Sequence, residues 1–285
     1  MQALSRRLPC LGLHGFHTLV YHEWPGPKGA PVVLCVHGLT RNGRDFDDLA
    51  SALAANFRVI CPDIAGRGQS DWLDHPEDYN YPLYLADMAA LVARLDVDEV
   101  LWVGTSMGGL IGMLLAAQNQ TPIRRLVMND VGPLVAKAGL ERIGSYVGQD
   151  PSFADLVSLE AYIRRVAASF GPLTAAQWRH LASCSARPKP DGTLGLAYDP
   201  KIGDAFRTPQ EADIDLWQFW DRITCPALVL RGAESDILRA ADAQAMTLRG
   251  PKAQLVEFAG IGHAPALMAE DQIAAIRDFL LGSAG

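Results

Sequence analysis

The residues Gly104-Thr105-Ser106-Met107-Gly108 stand between an apolar run, Glu99 to Val103, and a helical pattern, Leu110 to Ala117. A serine carried on a strand-to-helix turn of the form Gly-x-Ser-x-Gly is raised above the edge of a sheet, where its hydroxyl can act as a nucleophile. Such a bend strains its central residue and brings the flanking backbone segments together. Glycines at 104 and 108 have no Cβ to clash there, so their spacing has a steric cause. A hydroxyl is a poor nucleophile at neutral pH. It needs a base to take its proton, and the base needs an acid to orient it.

Seven histidines compete for the role of base. His263 lies in Gly260-Ile261-Gly262-His263-Ala264-Pro265, directly after the last expected strand, Gln254 to Phe258, and so at the same carboxyl edge as Ser106. The glycines before it and the proline after it fit a held loop. His37, in Val36-His37-Gly38-Leu39, reads instead as a structural histidine at a tight turn. The backbone N–H groups of Leu39 and Met107 are placed to stabilise an oxyanion if Ser106 attacks a carbonyl. For the acid, Asp236 follows the strand Ala227 to Leu230 through Arg231-Gly232-Ala233-Glu234-Ser235 and precedes His263. It gives the order serine, acid, histidine that accompanies such turns. Asp130, just after the strand Ile123 to Met128, is its rival, and Glu234 a weaker one. His14, His17, His22, His75 and His180 have no comparable setting. There is no CxxC and no metal-ligand spacing, and this chemistry requires neither a metal nor an organic cofactor.

Strand and helix patterns alternate along the chain. Strands are expected at Phe16–Glu23, Pro31–Val36, Phe57–Cys61 (stopped by Pro62), 99–103, 123–128, 227–230 and 254–258. Helices are expected at 45–55, 81–95, 110–117, 240–248 and 270–280. Continuous apolar strands alternating with helices imply a mostly parallel sheet covered on both faces. The interval from Gly132 to about Asp213 breaks this rhythm. It holds helical patterns at 159–170 and 174–183 and a loop-like segment, Arg187 to Gly192, but no clear buried strand. The expectation is an α/β core made of 1–132 and 213–285, with a mainly helical cap, 133–212, over the carboxyl edge where such sheets bind ligands.

The chain has 285 residues, 49% hydrophobic and 20% charged, a composition that suits a soluble protein with a large core. Its formal charge of −7 comes without any Lys/Arg cluster, which argues against nucleic acid as a partner. Five cysteines without paired spacing fit a reducing compartment and a cytoplasmic location. Leu8 to Leu13 is too short for a signal sequence, and no run approaches the roughly 18 apolar residues of a membrane span. Gly66-Arg67-Gly68-Gln69-Ser70 matches no phosphate-binding pattern and reads as a turn.

Taken together, His37-Gly38, Pro62-Asp63 with Gly66-Arg67-Gly68-Gln69-Ser70, the Ser106 turn, Asp236 and Gly262-His263 resemble a serine hydrolase of the α/β-hydrolase family over nearly the whole chain. The resemblance implies an eight-stranded sheet, a lid after the sixth strand and a Ser106–His263–Asp236 triad. One departure is Ala65, where relatives often carry arginine. The segments Thr40-Arg41-Asn42 with Asp45-Phe46, and Asn129 to Pro133, are similar to a bacterial subgroup that includes esterases of polyester or hydroxyalkanoate oligomers. A serine at the turn disfavours the halide and epoxide chemistry that uses an aspartate nucleophile.

The expected activity is a carboxylesterase acting on short to medium acyl esters through an acyl-enzyme, extending to such oligomers. A small-molecule ester is the expected partner, and self-association is compatible with the sequence. A lactonase of the enol-lactone type, a carbon–carbon bond hydrolase with the same triad and a non-enzymatic small-molecule receptor are the alternatives. Among Tyr146, Phe153, Tyr162, Phe170, Trp178, Trp217 and Trp220, most are expected to pack the cap onto the core and some to line an acyl pocket.

Overall fold

The computed structural model describes residues 3–207 and 212–282. Eight strands form one sheet: β1 (Leu4–Gly12), β2 (Gly15–Trp24), β3 (Val32–Val36), β4 (Arg58–Asp63), β5 (Val100–Thr105), β6 (Ile123–Asn129), β7 (Ala227–Gly232) and β8 (Gln254–Phe258). Their order is β1-β2-β4-β3-β5-β6-β7-β8. β2 is antiparallel to β1 and β4, and the other pairings are parallel. The helices are α1 (Asp47–Leu53), α2 (Tyr81–Arg94), α3 (Met107–Ala116), α4 (Lys137–Gly144), α5 (Leu156–Val166), α6 (Ala175–Ser185), α7 (Trp217–Trp220), α8 (Ala240–Met246) and α9 (Glu270–Leu281).

The apolar runs explain the layers. Along the central strands, Val33, Cys35, Val59, Cys61, Val103, Val127 and Leu228 point to one face, where Leu49 and Leu53 of α1 and Ile276 and Phe279 of α9 cover them. Val32, Leu34, Val36, Ile60, Trp102, Leu126 and Met128 point to the other, against α2 and α3. Both faces are therefore dry, as a parallel sheet requires. After β3 the chain goes first to β4 on one side and later to β5 on the other. The crevice beyond the ends of β3 and β5 is the switch point at which such sheets take ligands.

Three local expectations change. β1 was not foreseen: at the sheet edge it buries only Leu8 and Cys10, and its short apolar stretch, broken by Pro9 and preceded by Arg6 and Arg7, does not read as a core strand. β4 continues through Pro62 to Asp63, because its pairing with β3 has already ended at Ile60 and no N–H is needed there. Arg187 to Gly192 is not a plain loop but the near half of a hairpin, Ala186–Pro188 against Leu194–Leu196, with Gly192 at φ +83° in the connection. The helical patterns between β6 and β7 become α5 and α6, each started by a capping box, Asp155 with Ser158 and Thr174 with Gln177. Residues 208–211 of the expected cap, and residues 1–2 and 283–285 of the expected core, lie outside the described residues. Among those described, no helix is long and apolar enough to cross a membrane.

Candidate active site

Ser106 sits between β5 and α3 at φ 51°, ψ −115°, a left-handed conformation that costs a non-glycine residue about 1–3 kcal/mol. The surroundings enforce it. A Cβ at Gly104 would stand 2.2 Å from the Gly108 carbonyl oxygen, and one at Gly108 would stand 2.0 Å from that of Val36. Underneath, the buried Trp102 indole donates to the Gly108 carbonyl at 3.0 Å. The Ser106 N–H donates to the Asn129 carbonyl at 3.0 Å, which ties the turn to the end of β6.

His263 comes from the loop after β8. Its Nε2 is 3.1 Å from Ser106 Oγ, and its Nδ1 is 2.8 Å from Asp130 Oδ2. The histidine side chain is 14% exposed and the Asp130 carboxylate 0%, so the imidazole is reached from one side only. With Nδ1–H donating to the carboxylate, Nε2 is left free to accept the serine proton. Asp130 also accepts from the Gly232 N–H (2.9 Å) and from the Ser235 hydroxyl (2.6 Å). Three donors hold this buried carboxylate in line with the ring.

Asp236 does not reach this position. It lies past the Ser235 turn, half exposed, and accepts two hydrogen bonds from the Arg142 guanidinium on α4. Asp130 directly follows β6 at φ +56°, which swings its side chain into the crevice. The loop after β7, expected to supply the acid, supplies donors to Asp130 instead. Glu234 is exposed, and its N–H donates to the Ile261 carbonyl at 2.8 Å.

His37 is buried and faces away from this chemistry. Its Nδ1–H donates to the Gly38 carbonyl at 2.7 Å, and its Nε2 accepts from the Ile64 N–H at 2.9 Å. Burial lowers its pKa to about 4, so it is neutral at physiological pH. Gly38 packs against Ser106, with a notional Cβ 3.7 Å from that of the serine. Among the described residues, neither the Leu39 nor the Met107 N–H has a hydrogen-bond acceptor. Both residues border the cavity that meets Ser106.

Sequence reasoning passed over three supports. Arg67 is 0% exposed; its Nε–H donates to the Leu39 carbonyl at 2.8 Å, its Nη1 donates to Ala65 O and the Tyr84 hydroxyl, and its Nη2 meets Met107 Sδ. Gly66-Arg67-Gly68 lies in a turn, as expected, but nothing in its sequence shows that the arginine points inward. Ser235 orients Asp130 while accepting from the Ile237 and Leu238 N–H groups. Asn129 donates to Thr105 Oγ1 (3.0 Å) and to the Pro265 carbonyl (2.9 Å), joining the serine turn to the histidine loop. A serine three residues beyond the β7 glycine was the one visible sign of the second support.

Two spaces open from Ser106. One is an apolar cavity of about 970 Å³ walled by Tyr79 to Pro82, Leu110, Val131, Val135, Leu140, Ile202 and Phe219. The other is a smaller cleft of mixed character, about 120 Å³, between the core and α4–α6, where Arg41, Arg142, Tyr146, Tyr162 and His263 stand among apolar residues such as Ile163. Of the seven aromatics singled out from sequence, Tyr146, Tyr162 and Phe170 line that cleft. Phe153, Trp178 and Trp220 are buried packing, and Trp217 carries the Arg249 guanidinium over its ring.

A model of the alpha/beta hydrolase family matches residues 33–276. The chain is 44% identical over 282 residues to a 3-hydroxybutyrate-oligomer hydrolase of Cupriavidus necator, covering 96% of each chain. It is 28% identical to a 2-(acetamidomethylene)succinate hydrolase of Mesorhizobium japonicum, covering 83% of each. Among solved structures, an alpha/beta hydrolase from Novosphingobium aromaticivorans superposes with a TM-score of 0.88 at 40% identity and 99% coverage of both chains. The chain belongs to the alpha/beta hydrolase family.

Proposed function

We propose that this chain is a serine carboxylesterase that cleaves the ester bonds of short 3-hydroxyalkanoate oligomers through an acyl-enzyme. The chain is an ester-hydrolysing enzyme of its family; the substrate and the residue roles are our reading. The observation that carries it is the relay Ser106–His263–Asp130, at 3.1 and 2.8 Å, opening onto an apolar cavity. Asp130 here replaces Asp236 as the acid.

Ser106 Oγ attacks the ester carbonyl as its proton passes to His263 Nε2, and Asp130 stabilises the imidazolium. The Leu39 and Met107 N–H groups receive the negative charge on the carbonyl oxygen. Collapse breaks the bond to the leaving alkoxide, which takes the proton from His263. A water then attacks the acyl-enzyme as its proton passes to His263, and His263 returns that proton to Ser106 Oγ as the acid leaves. The methyl-bearing acyl part fits the apolar cavity. The smaller cleft takes the rest of the oligomer beside Tyr146 and Tyr162, its Arg41 and Arg142 guanidiniums being already paired with Asp45 and Asp236. Within the described residues, 133–207 and 212 act as a cap over the core 3–132 and 213–282. A reducing cytoplasmic setting suits the five free cysteines.

The test is product release from linear 3-hydroxybutyrate dimer, trimer and tetramer, alongside a p-nitrophenyl ester series and a lactone panel. Monomer release from the oligomers, abolished in Ser106→Ala, is expected. Turnover of lactones with none of the linear oligomers would overturn the substrate proposal.

A further inference from the structure

On the side of the sheet edge, the β1–β2 hairpin turn meets the loop before α2. There His14 and His75 stack with ring centroids 3.8 Å apart and planes at 17°. Glu77 Oε1 lies 3.4 Å from His75 Nδ1, and Asp78 Oδ2 lies 2.8 Å from His14 Nδ1. One ligand atom from each of His14, His75 and Glu77 falls within 4.8 Å of the others. His14, His75 and Asp78, with Asp71 and Asp74, line a polar cleft of about 210 Å³; Glu77 stands outside its lining, and among the described residues no Lys or Arg lines it. The Lys201 ammonium beside it is engaged by the Leu73 and Asp74 carbonyls.

We propose that His14, His75 and Glu77 bind a divalent transition-metal ion of the zinc class, outside the Ser106 site. Two imidazoles and a carboxylate are a recognised zinc donor set, leaving one position for water. Ligand atoms about 2.0–2.1 Å from a tetrahedral ion stand roughly 3.3 Å apart, so the spacing is within reach, but the stacked rings must turn out of their near-parallel planes for a lone pair of each to converge on the ion. Asp78 holds His14 by one ring nitrogen, the carboxylate–histidine arrangement that orients metal ligands. Sequence alone hides the site because its two histidines come from distant elements.

A second trio, Cys10, His17 and Asp87, is also close together but fully buried. Its members satisfy one another, with His17 Nε2 3.0 Å from Asp87 Oδ2, and burial with Asp87 pushes the Cys10 thiol up to about 12. The open cleft is the better host. A bound ion would clamp the hairpin turn to residues 75–77, immediately ahead of Tyr79 to Tyr84, which wall the apolar cavity.

Calorimetric titration of the full chain with zinc chloride, in a buffer that does not chelate, tests this. One saturable ion per chain is expected. His14→Ala and His75→Ala should each weaken it by about tenfold or more, and Asp78→Asn by about 10–100-fold. Cys10→Ser should leave it unchanged. Esterase activity without zinc, retained in these surface variants, confirms folding. No saturable binding by the wild-type chain, affinity unchanged in His14→Ala and His75→Ala, or loss confined to Cys10→Ser would each overturn the assignment.

Discussion

Replacing Asp130 by asparagine tests the relay at its most demanding point. Oδ1 accepts from Gly232, while Oδ2 accepts from Ser235 and His263. An asparagine that keeps its oxygen on the Gly232 N–H turns its NH₂ toward His263. The ring nitrogen there must then accept, which moves the imidazole proton to Nε2 and removes the base facing Ser106. The opposite flip restores the tautomer but sets NH₂ against the Gly232 N–H, a buried donor left unpaired at about 1–3 kcal/mol. Either way the imidazolium also loses its counter-charge. A wrong-tautomer change of this kind lowers kcat by about 10⁴-fold, or roughly 5.5 kcal/mol of barrier. Asp236→Asn removes only a half-exposed ion pair with Arg142, worth about 0–1 kcal/mol. Steady-state hydrolysis of a p-nitrophenyl ester should therefore fall about 10⁴-fold in the first variant and change less than about threefold in the second. Comparable losses in both variants, or the larger loss in Asp236→Asn, would refute the placement of the acid.

Arg67→Met should lower kcat by about 10–100-fold with KM little changed, because it frees the Leu39 peptide without touching a substrate pocket; removal of an oxyanion donor itself costs about 10²–10³. Arg67→Lys should recover part of the loss, and a change confined to KM would count against this positioning role. For stability, His37 binds protons less readily folded, at about 4, than unfolded, at 6.5. Its contribution is thus complete above pH 6.5 and lost as pH falls toward 4, by about 3 kcal/mol. Urea denaturation from pH 4 to 7 should show this slope in the wild type and not in His37→Asn. His17, raised chiefly by its hydrogen bond to Asp87, contributes in the opposite sense, below pH 6.5 and less as pH rises.

The serine turn and the histidine loop were legible because local sterics write them into the chain: glycines where a Cβ would meet backbone at 2.2 and 2.0 Å, and glycines before a histidine at a strand end. The central strands were legible for a related reason, since a strand buried on both faces is an unbroken apolar run. β1 carries no such run, because an edge strand buries little. The acid was harder. Asp130 and Asp236 both follow parallel strands and both precede His263, so chain order does not separate them. What separates them is which side chain turns inward, and that depends on Ser235 and Gly232 donating to Asp130 while Arg142 draws Asp236 outward. Those are contacts between residues far apart in sequence.

The same logic explains why so much polar chemistry is buried beneath the Leu39 loop. Asp63, at the end of β4, accepts from the Gly43 and Gln69 N–H groups, and Ser70 donates to the Asp63 carbonyl. His37 and Arg67 then fix Gly38 and Leu39 by their carbonyl oxygens. Each buried polar group carries a desolvation cost that an apolar residue of similar size would avoid. Apolar packing, however, cannot set the orientation of a peptide plane. An N–H that must already face a charge which exists only during the reaction has to be aimed in advance, and directional hydrogen bonds to the far side of its own peptides are the means available. On the proposed mechanism, the stability given up in this layer is accounted for by the Leu39 amide that it aims toward Ser106.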